Sequence, residues 1–391
     1  MDSVFATAAG IVFSFSLLTL AYTWFGYYGI LTLLSGFGRK RSVPTGDDTF
    51  TPSVSILVSA YNEEDVIAKR IENLLALDYP ADRLEILIGS DGSTDGTVEA
   101  ARTFEGRGVK VVAFEENRGR ADVHNDLVAM AEGEILVFTD ADTEFEPEFV
   151  KKIVRPFSDP KVGAAVGRLS YRVEGGAIAR NEGLYWRYEL RLKELENRLG
   201  LVNNGTGACM AFRKELFTPL RPVDDIDTAS VIDIILEGYK VVYVEDALAY
   251  DIPPHSARSE YKARVRGTSK TVASVFGRVG MLEWFKHPVV TWSLFSHRFL
   301  RYMTPYFMVI AFLSNASLLG EGLLYKSLFM LQAAFYLFVL VGWVADRAHR
   351  YVPLASSLYS FCVAMSGMMV GVAKAVAGRV TVTYKTEDGM P

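Results

Sequence analysis

Four stretches of this chain contain no charged residue: Ser3 to Gly38, Tyr302 to Gly320, Ser327 to Ala345 and Tyr351 to Ala373. A helix needs about 20 apolar residues to cross a bilayer core roughly 30 Å thick. A lipid-exposed segment must also satisfy its backbone hydrogen bonds internally, which a helix does. The windows therefore predict four transmembrane helices, one at the start of the chain and three near its end. The first does not read as a cleaved leader, because it lacks a basic start and contains Trp24, Tyr27 and Tyr28.

Arg39, Lys40 and Arg41 follow the first window and only Asp2 precedes it. Under the positive-inside rule this predicts a multi-pass protein of the cell membrane with residues 42 to 300 in the cytoplasm. Arg347, His349 and Arg350 put the end of the third window on that side too, and the count then leaves the C-terminus outside; Lys385, Glu387 and Asp388 add little. Residues 281 to 302, "MLEWFKHPVVTWSLFSHRFLRY", mix aromatics with Lys286, His297, Arg298 and Arg301, as an amphipathic helix at the membrane face does. The expected organisation is a first membrane helix over 1–38, a linker over 39–51, an α/β domain over 52–257, interface helices over 258–300, the later membrane helices over 301–378 and a tail over 379–391.

At 391 residues the chain has room for such a two-part architecture, and a net charge of -5 with no long basic run leaves nucleic-acid binding without an electrostatic basis. Cys209 and Cys362 fall in the α/β part and in a span, which predicts free thiols and no disulfide.

From Pro52 short β-branched runs alternate with helical stretches, the pattern of a doubly wound α/β domain. Strands are predicted at 53–60, 84–90, 109–114 and 134–140, with helices from Glu63 to Leu77 and from Ala121 to Ala131. Ligands of such sheets bind beyond the carboxyl ends of the strands. Here those ends carry Asn62 and Glu63, then Asp91, then Asp140 and Asp142.

The stretch "GEILVFTDADTEF" runs a buried strand straight into Asp140 and Asp142. Buried charges need a partner. Two carboxylates at this spacing, on one side of a strand or on the arms of a turn, suit one divalent ion on a nucleoside diphosphate, Mg2+ or Mn2+. "SDGSTDGT" places Asp91 at a strand end, where it can accept a hydrogen bond from a base, with Thr94 or Asp95 capping the next helix.

"SVSILVSAYNEE", "SDGSTDGT", "ENRGRADVHN", "GEILVFTDADT" and "EGLYWRYELRLKELENRLGLVNNGTGACMAFRKELF" resemble, in order and spacing, the membrane-bound family 2 glycosyltransferases of the GT-A fold, among them the cellulose, chitin, hyaluronan and bacterial exopolysaccharide synthases. The resemblance covers about residues 50 to 300 and implies an inverting transferase with a nucleotide-sugar donor, most often a UDP-sugar, and a divalent metal. It implies that Tyr61 and Glu63 lie at the nucleotide, that Asp91 binds uracil, that Asp140 faces ribose and sugar, and that Asp142 holds the metal with Asp140 beside it. Arg120 stands where the family commonly has lysine, keeping a cation for the diphosphate with a different geometry. The loop "NNGTGA", with Asn204, Gly205, Thr206 and Gly207, resembles the acceptor-side loop.

An inverting transfer needs a carboxylate that takes the acceptor's proton. Asp224, Asp225 and Asp227 precede a helix, and the family's spacing from Gly238 points to Asp227 first and Asp225 second. Trp186 and Tyr188 read as core aromatics. Where polymer synthases carry Q-x-x-R-W, this chain has Tyr261, Arg264 and Val265, so only the diphosphate arginine, Arg264, remains; Arg258, Lys262, Arg266 and Lys270 read equally as headgroup contacts. The expected function is transfer from a UDP-sugar to a membrane-associated glycan, with exopolysaccharide synthesis first. A lipid or polyprenyl-linked acceptor and a non-catalytic, glycan-binding regulator are the alternatives. Export of a polymer past so few spans would need a homo-oligomer or a partner.

Overall fold

The computed structural model describes residues 2–37, 46–171, 177–251, 256–278 and 286–383. Arg39, Lys40 and Arg41, the first part of the linker, residues 281–285 of the interface segment, and Lys385, Glu387 and Asp388 lie outside the described residues.

In chain order, α1 (Asp2–Ala21) and α2 (Tyr27–Phe37) are joined by a π-turn at Tyr22–Gly26. The α/β part follows as β1 (Val54–Ala60), α3 (Ile67–Leu75), β2 (Leu84–Asp91), α4 (Thr97–Arg102), β3 (Val109–Phe114), α5 (Arg120–Met130), β4 (Ile135–Asp140), β5 (Glu144–Phe145), α6 (Phe149–Val154), β6 (Val162–Tyr171), α7 (Ala177–Leu199), β7 (Met210–Arg213), α8 (Ile226–Leu236) and β8 (Lys240–Asp251). Then come α9 (Ala257–Arg278), α10 (Pro288–Leu294), α11 (Leu300–Ser317), α12 (Leu323–Arg347) and α13 (Pro353–Val376).

The eight strands form one sheet in the order β3-β2-β1-β4-β7-β6-β8-β5. Pairing is parallel from β3 to β4, as expected for a doubly wound domain, and then turns mixed: β7 is antiparallel to both β4 and β6, and β8 is parallel to β6. Both faces are covered, which is why the central strands read as continuous apolar runs. Ile56, Val58 and Val137 pack with Ile67, Ile71 and Leu74 of α3 on one face, whereas Leu57, Leu136 and Phe138 meet Val123 and Leu127 of α5 on the other. Helix α3 starts four residues later than its periodicity predicts. The backbone N–H groups of Asn62, Glu63 and Glu64 donate instead to Ser93 Oγ, Thr97 Oγ1 and Asp95 Oδ2, at 3.1, 2.7 and 3.2 Å. The β1 loop is thereby tied to the β2 loop.

Among the described residues three helical segments are long and apolar enough to cross a membrane: Val4–Gly36, Leu323–Arg347 and Pro353–Val376. The fourth predicted span, residues 302–320, becomes α11. It is 18 residues long, contains Pro305, and buries Arg301, Thr304 and Asn315 while packing beside α1, where Phe13 meets Ala311 and Leu318. These polar groups leave it short of a span's apolarity.

Gly367 and Gly371 let α13 press against α9: a Cβ on either would lie 2.8 Å from Arg264 Cβ or 2.7 Å from Thr268 Cβ. Just beyond α13, the Val382 carbonyl reaches Gly119 of the α/β domain, 2.8 Å from where a Cβ would sit. Residue 382, just past the last long helix, thus lies against the α/β domain.

Candidate active site

The carboxyl ends of β1, β2 and β4 open onto a cleft of about 360 Å³ lined by Tyr61, Glu63, Asp91, Arg120, Asp140 and Asp142. These strands flank the point where the connections leave in opposite directions, the usual ligand crevice of an open α/β sheet. Asp91 is buried, and its two oxygens accept the backbone N–H groups of Arg118 (2.8 Å) and Gly119 (2.9 Å). Its first task is to hold the 117–119 loop, with Gly119 at φ 97°, a conformation that favours glycine. The lone pairs that remain can accept from a further donor. Asp95 accepts from Thr97 N–H at 3.1 Å, but the N-cap position of α4 is Gly96, so Asp95 stands one residue ahead of the expected cap.

Asp140, the last residue of β4, is paired with Arg120 from the first turn of α5. Asp142 reaches into the cleft. Its side chain is open there, yet the enclosing protein and then the neighbouring Asp140 hold its carboxyl above the usual range. Glu63 is pushed up to about 7, by burial first and then by Asp142, Asp140 and Asp95. Three mutually repelling carboxylates on one wall make a good seat for a cation. No group of three or more acidic, His or Cys side chains encloses a metal among the described residues. The donor set of Asp140 and Asp142 fits Mg2+ or Mn2+ whose remaining ligands are water and diphosphate oxygens.

Behind the two aspartates lies a residue not singled out from the sequence. Arg70 of α3 is buried, donates to Thr139 Oγ1 at 2.6 Å and stacks 4.3 Å over the Phe145 ring. Burial lowers it to about 9, while Asp140, Asp142 and Glu144 work to keep it charged. Its signal was its place in the stripe Ile67, Arg70, Ile71, Leu74, an arginine where the helical period requires an apolar side chain.

The acceptor-side residues gather around α8. Asp227, in its first turn, accepts the Gly207 N–H at its carboxylate, and its own carbonyl accepts the Gly205 N–H at 2.7 Å. A Cβ on Gly207 would stand 2.4 Å from Asp227 Oδ1 and 3.3 Å from Arg120 Nη2. The glycine thus lets loop, carboxylate and guanidinium meet. Thr206 Oγ1 accepts from Lys193 of α7 at 3.1 Å, and Asn204 Oδ1 accepts from the Thr228 hydroxyl at 3.4 Å. Lys193 is lowered to about 8 by burial.

The three aspartates now separate. Asp224 is buried and spends its carboxylate on Arg221, 2.7 Å from Nη2 and 2.8 Å from the backbone N–H, so its role is structural. Asp225 occupies the N-cap position of α8 without a side-chain cap, its N–H donating to Ser274 Oγ at 2.8 Å; burial and then Asp227 push it up to about 7. Asp227 is also raised by burial, but Arg120 and the Gly207 N–H favour its charged form.

Asp225, Asp227 and Asn204 line a second cavity of about 290 Å³ that reaches Arg264, Arg298 and, on α13, Met368. Tyr171 lines both cavities, so they adjoin there. Trp186 forms part of this second wall, its Nε1 donating to the Leu169 carbonyl at 2.9 Å and its ring 4.9 Å from Tyr171. Tyr188 instead stacks on Tyr28.

Arg264 is not at the donor cleft. It faces α13 and the second cavity, paired with Glu260 at 2.5 Å. Arg266 lines the donor cleft. Two residues are about 200° of helical turn, so the α9 cation at the donor is the other one. Lys270, one turn on from Arg266, is buried and lowered by that burial, and it feels both Asp225 and Asp227.

With this geometry in place, likeness to known proteins becomes informative. Residues 55–220 match the model of "Glycosyl transferase family 2". The chain is 27% identical over 223 residues to the poly-beta-1,6-N-acetyl-D-glucosamine synthase of Staphylococcus epidermidis and 28% identical over 220 residues to that of Staphylococcus aureus, each match taking in 54% of this chain and 53% of the relative. The chain thus matches about half the length of these curated relatives. A mannosyltransferase from Pyrobaculum calidifontis, solved in complex with GDP-mannose and Mn2+, superposes over 97% of this chain and 100% of its own with a TM-score of 0.71 and 22% identity, a likeness of fold. Sheet order, motif positions and family model agree: residues 55–220 match the family 2 glycosyl transferase model, and the fold is that of a GT-A transferase.

Proposed function

We propose that the protein is an inverting, metal-dependent glycosyltransferase that moves a sugar from a nucleoside diphosphate, a UDP-sugar first, to a hydroxyl of a membrane-associated glycan. The observation that carries this is the position of Arg120, in contact with Asp140 on one side and beside Gly207 and Asp227 on the other. A donor held at the strand ends and an acceptor held in the second cavity then meet at one point.

In the reaction, Asp227 takes the proton of the acceptor hydroxyl as its oxygen attacks the anomeric carbon from the face opposite the diphosphate. The bond to the diphosphate breaks, and the configuration inverts. Arg120, Arg266 and Lys270 hold the departing anion, and preorganised cations of this kind stabilise charge where it develops. Asp91 fixes the 117–119 loop, and Glu63 and Tyr61 line the donor's side of the cleft. A divalent ion at Asp140 and Asp142 supplies neutralisation of the leaving group. A GDP-sugar is the second donor, as in the mannosyltransferase of the same fold.

The catalytic domain is placed on the cytoplasmic face, where nucleotide sugars are made, with the long apolar helices anchoring it as a multi-pass protein. Exopolysaccharide synthesis is the first use, by analogy with the named staphylococcal relatives, and export would call for a second copy or a partner. A lipid-linked acceptor is favoured by the wall that α13 and α11 contribute to the second cavity. A non-catalytic regulator has no need of the Asp227 arrangement. The test is transfer of radiolabelled sugar from a panel of UDP- and GDP-sugars by the full chain in lipid, with Mg2+ or Mn2+. A metal-dependent product of inverted configuration supports the proposal, and bound donor without any product sinks it.

A further inference from the structure

Arg298 has no place in the scheme above. It sits in the π-turn Phe295–Phe299 that leads into α11, half-buried, and lines the second cavity together with Asp225 and Asp227. Its Nε is buried without a hydrogen-bond partner, and the guanidinium makes no ion pair with any described residue. Its neighbours differ: Arg264 is paired with Glu260 and Arg301 with Glu189. An enclosed polar group without a partner costs folding free energy, so a fold that keeps one has a ligand for it or forgoes stability. Thr268 and Thr271 of α9 line the same space and are buried, bringing two hydroxyls to it. On the membrane side the wall is Met368 of α13 and Tyr302 of α11.

An arginine fork with two hydroxyls is a phosphate site in its chemistry. Its apolar wall includes Met368 of α13, a helix long and apolar enough to cross a bilayer, and the anions at headgroup depth are phosphates. We propose that Arg298, with Thr268 and Thr271, binds the phosphate of a membrane amphiphile, so that the acceptor hydroxyl at Asp227 lies next to a phosphate one residue away in the same cavity. The acceptor is then a phosphorylated glycolipid, with its hydroxyl on the sugar and its charge at Arg298. The acceptor half of this inference rests on the transfer reaction proposed above, whereas the phosphate half does not.

The test uses the full chain in phosphatidylcholine nanodiscs and two probes, one sugar on farnesyl diphosphate and the same sugar on an uncharged octyl chain. Binding without donor is read by native mass spectrometry, and transfer by the ratio of kcat/KM for the two probes. The wild type prefers the diphosphate probe at least about tenfold, as a desolvated arginine–phosphate contact warrants. Arg298→Gln brings that ratio close to one, and Arg298→Lys keeps part of it. Adding phosphatidylglycerol separates the sources. If it stimulates transfer in the wild type but not in R298Q while the probe ratio is unchanged, the site holds a bilayer lipid and the glycolipid acceptor is overturned. Equal binding of both probes by wild type and R298Q, without any lipid effect, overturns the phosphate site. An Arg298-dependent preference in binding with no transfer supports the site and counts against the transferase reading alone.

Discussion

The donor cleft and the acceptor cavity adjoin at Tyr171, yet they are built from different material. The donor side is three neighbouring strand ends, a backbone frame buried on both faces, with each functional side chain within a few residues of a strand's last position. The acceptor side is assembled from a loop at 203–207, the first turn of α8, α9, the turn into α11 and α13. Rigid strand ends suit a donor whose diphosphate is always the same shape. A cavity whose walls arrive on helices, including long apolar ones, ties acceptor binding to how those helices sit.

That contrast can be broken by substitution. The largest effect is expected at Asp142→Asn, which removes half of the proposed metal seat: transfer falls by on the order of a thousandfold, and added Mn2+ or Mg2+ no longer stimulates it. Donor-side damage of this kind shows in donor and metal titrations while acceptor binding is retained.

Next is Gly207→Ala. The new Cβ would lie 2.4 Å from Asp227 Oδ1, so the carboxylate or the loop must move. A misplacement of about 1 Å costs roughly a hundredfold in rate. The account expects kcat to fall by that order with donor affinity kept, measured by calorimetry on the same preparation.

A smaller effect concerns pH. Asp225 is held at about 7, above the ordinary carboxyl value, so it is protonated at acid pH and charges as pH rises through neutrality. It titrates with Asp227 as a pair. The reacting group, Asp227, must be a carboxylate and is itself raised above the ordinary carboxyl range by burial, so kcat falls toward acid pH. Asp225→Asn removes the group that charges near neutrality and leaves the acid limb set by Asp227 in place. Complete loss of transfer in that variant would make Asp225 the base instead.

The smallest effect is on stability. Tyr27 of α2 donates its hydroxyl to Glu196 of α7 at 2.8 Å, and its oxygen lies 2.8 Å from that of Ser293, which in turn accepts from Asn203 beside the acceptor loop at 2.6 Å. Tyr27→Phe leaves these buried groups short of a partner, a cost of about 1–3 kcal/mol read by thermal unfolding in detergent. Its effect on acceptor KM should exceed that on donor KM, since the chain of bonds ends at the loop.

The same contrast governed what could be read from the sequence. Strand ends were legible because a parallel sheet writes itself as an apolar run, and a run that stops at Asp91 or at Asp140 marks its own ligand end. Arg70 was legible in principle, as the misfit in a helical stripe, but a charge among Ile67, Ile71 and Leu74 reads as surface until Thr139 and Phe145 are seen around it. On the acceptor side, spacing from Gly238 pointed to Asp227 and motif order to the 204–207 loop, and the fold brings the two together at Gly205 and Gly207. It chose Arg264 over Arg266 because a motif fixes position in the chain but not the rotation of a helix about its axis. Charge-free windows found the helices without their depth: Asn315 and Thr304 are uncharged yet polar, and only packing showed α13 turning back onto α9.

In the proposed reaction one carboxylate, Asp227, serves the acceptor at a donor site built by others. The most direct measurement compares Asp227→Asn with the wild type in the same lipid, for donor binding by calorimetry and for sugar transfer. Asparagine keeps the shape and can still accept the Gly207 N–H, but it cannot take a proton. The account predicts donor binding within about twofold of wild type and transfer reduced by on the order of a thousandfold. Transfer by Asp227→Asn near the wild-type rate would contradict it and move the base elsewhere in the cavity.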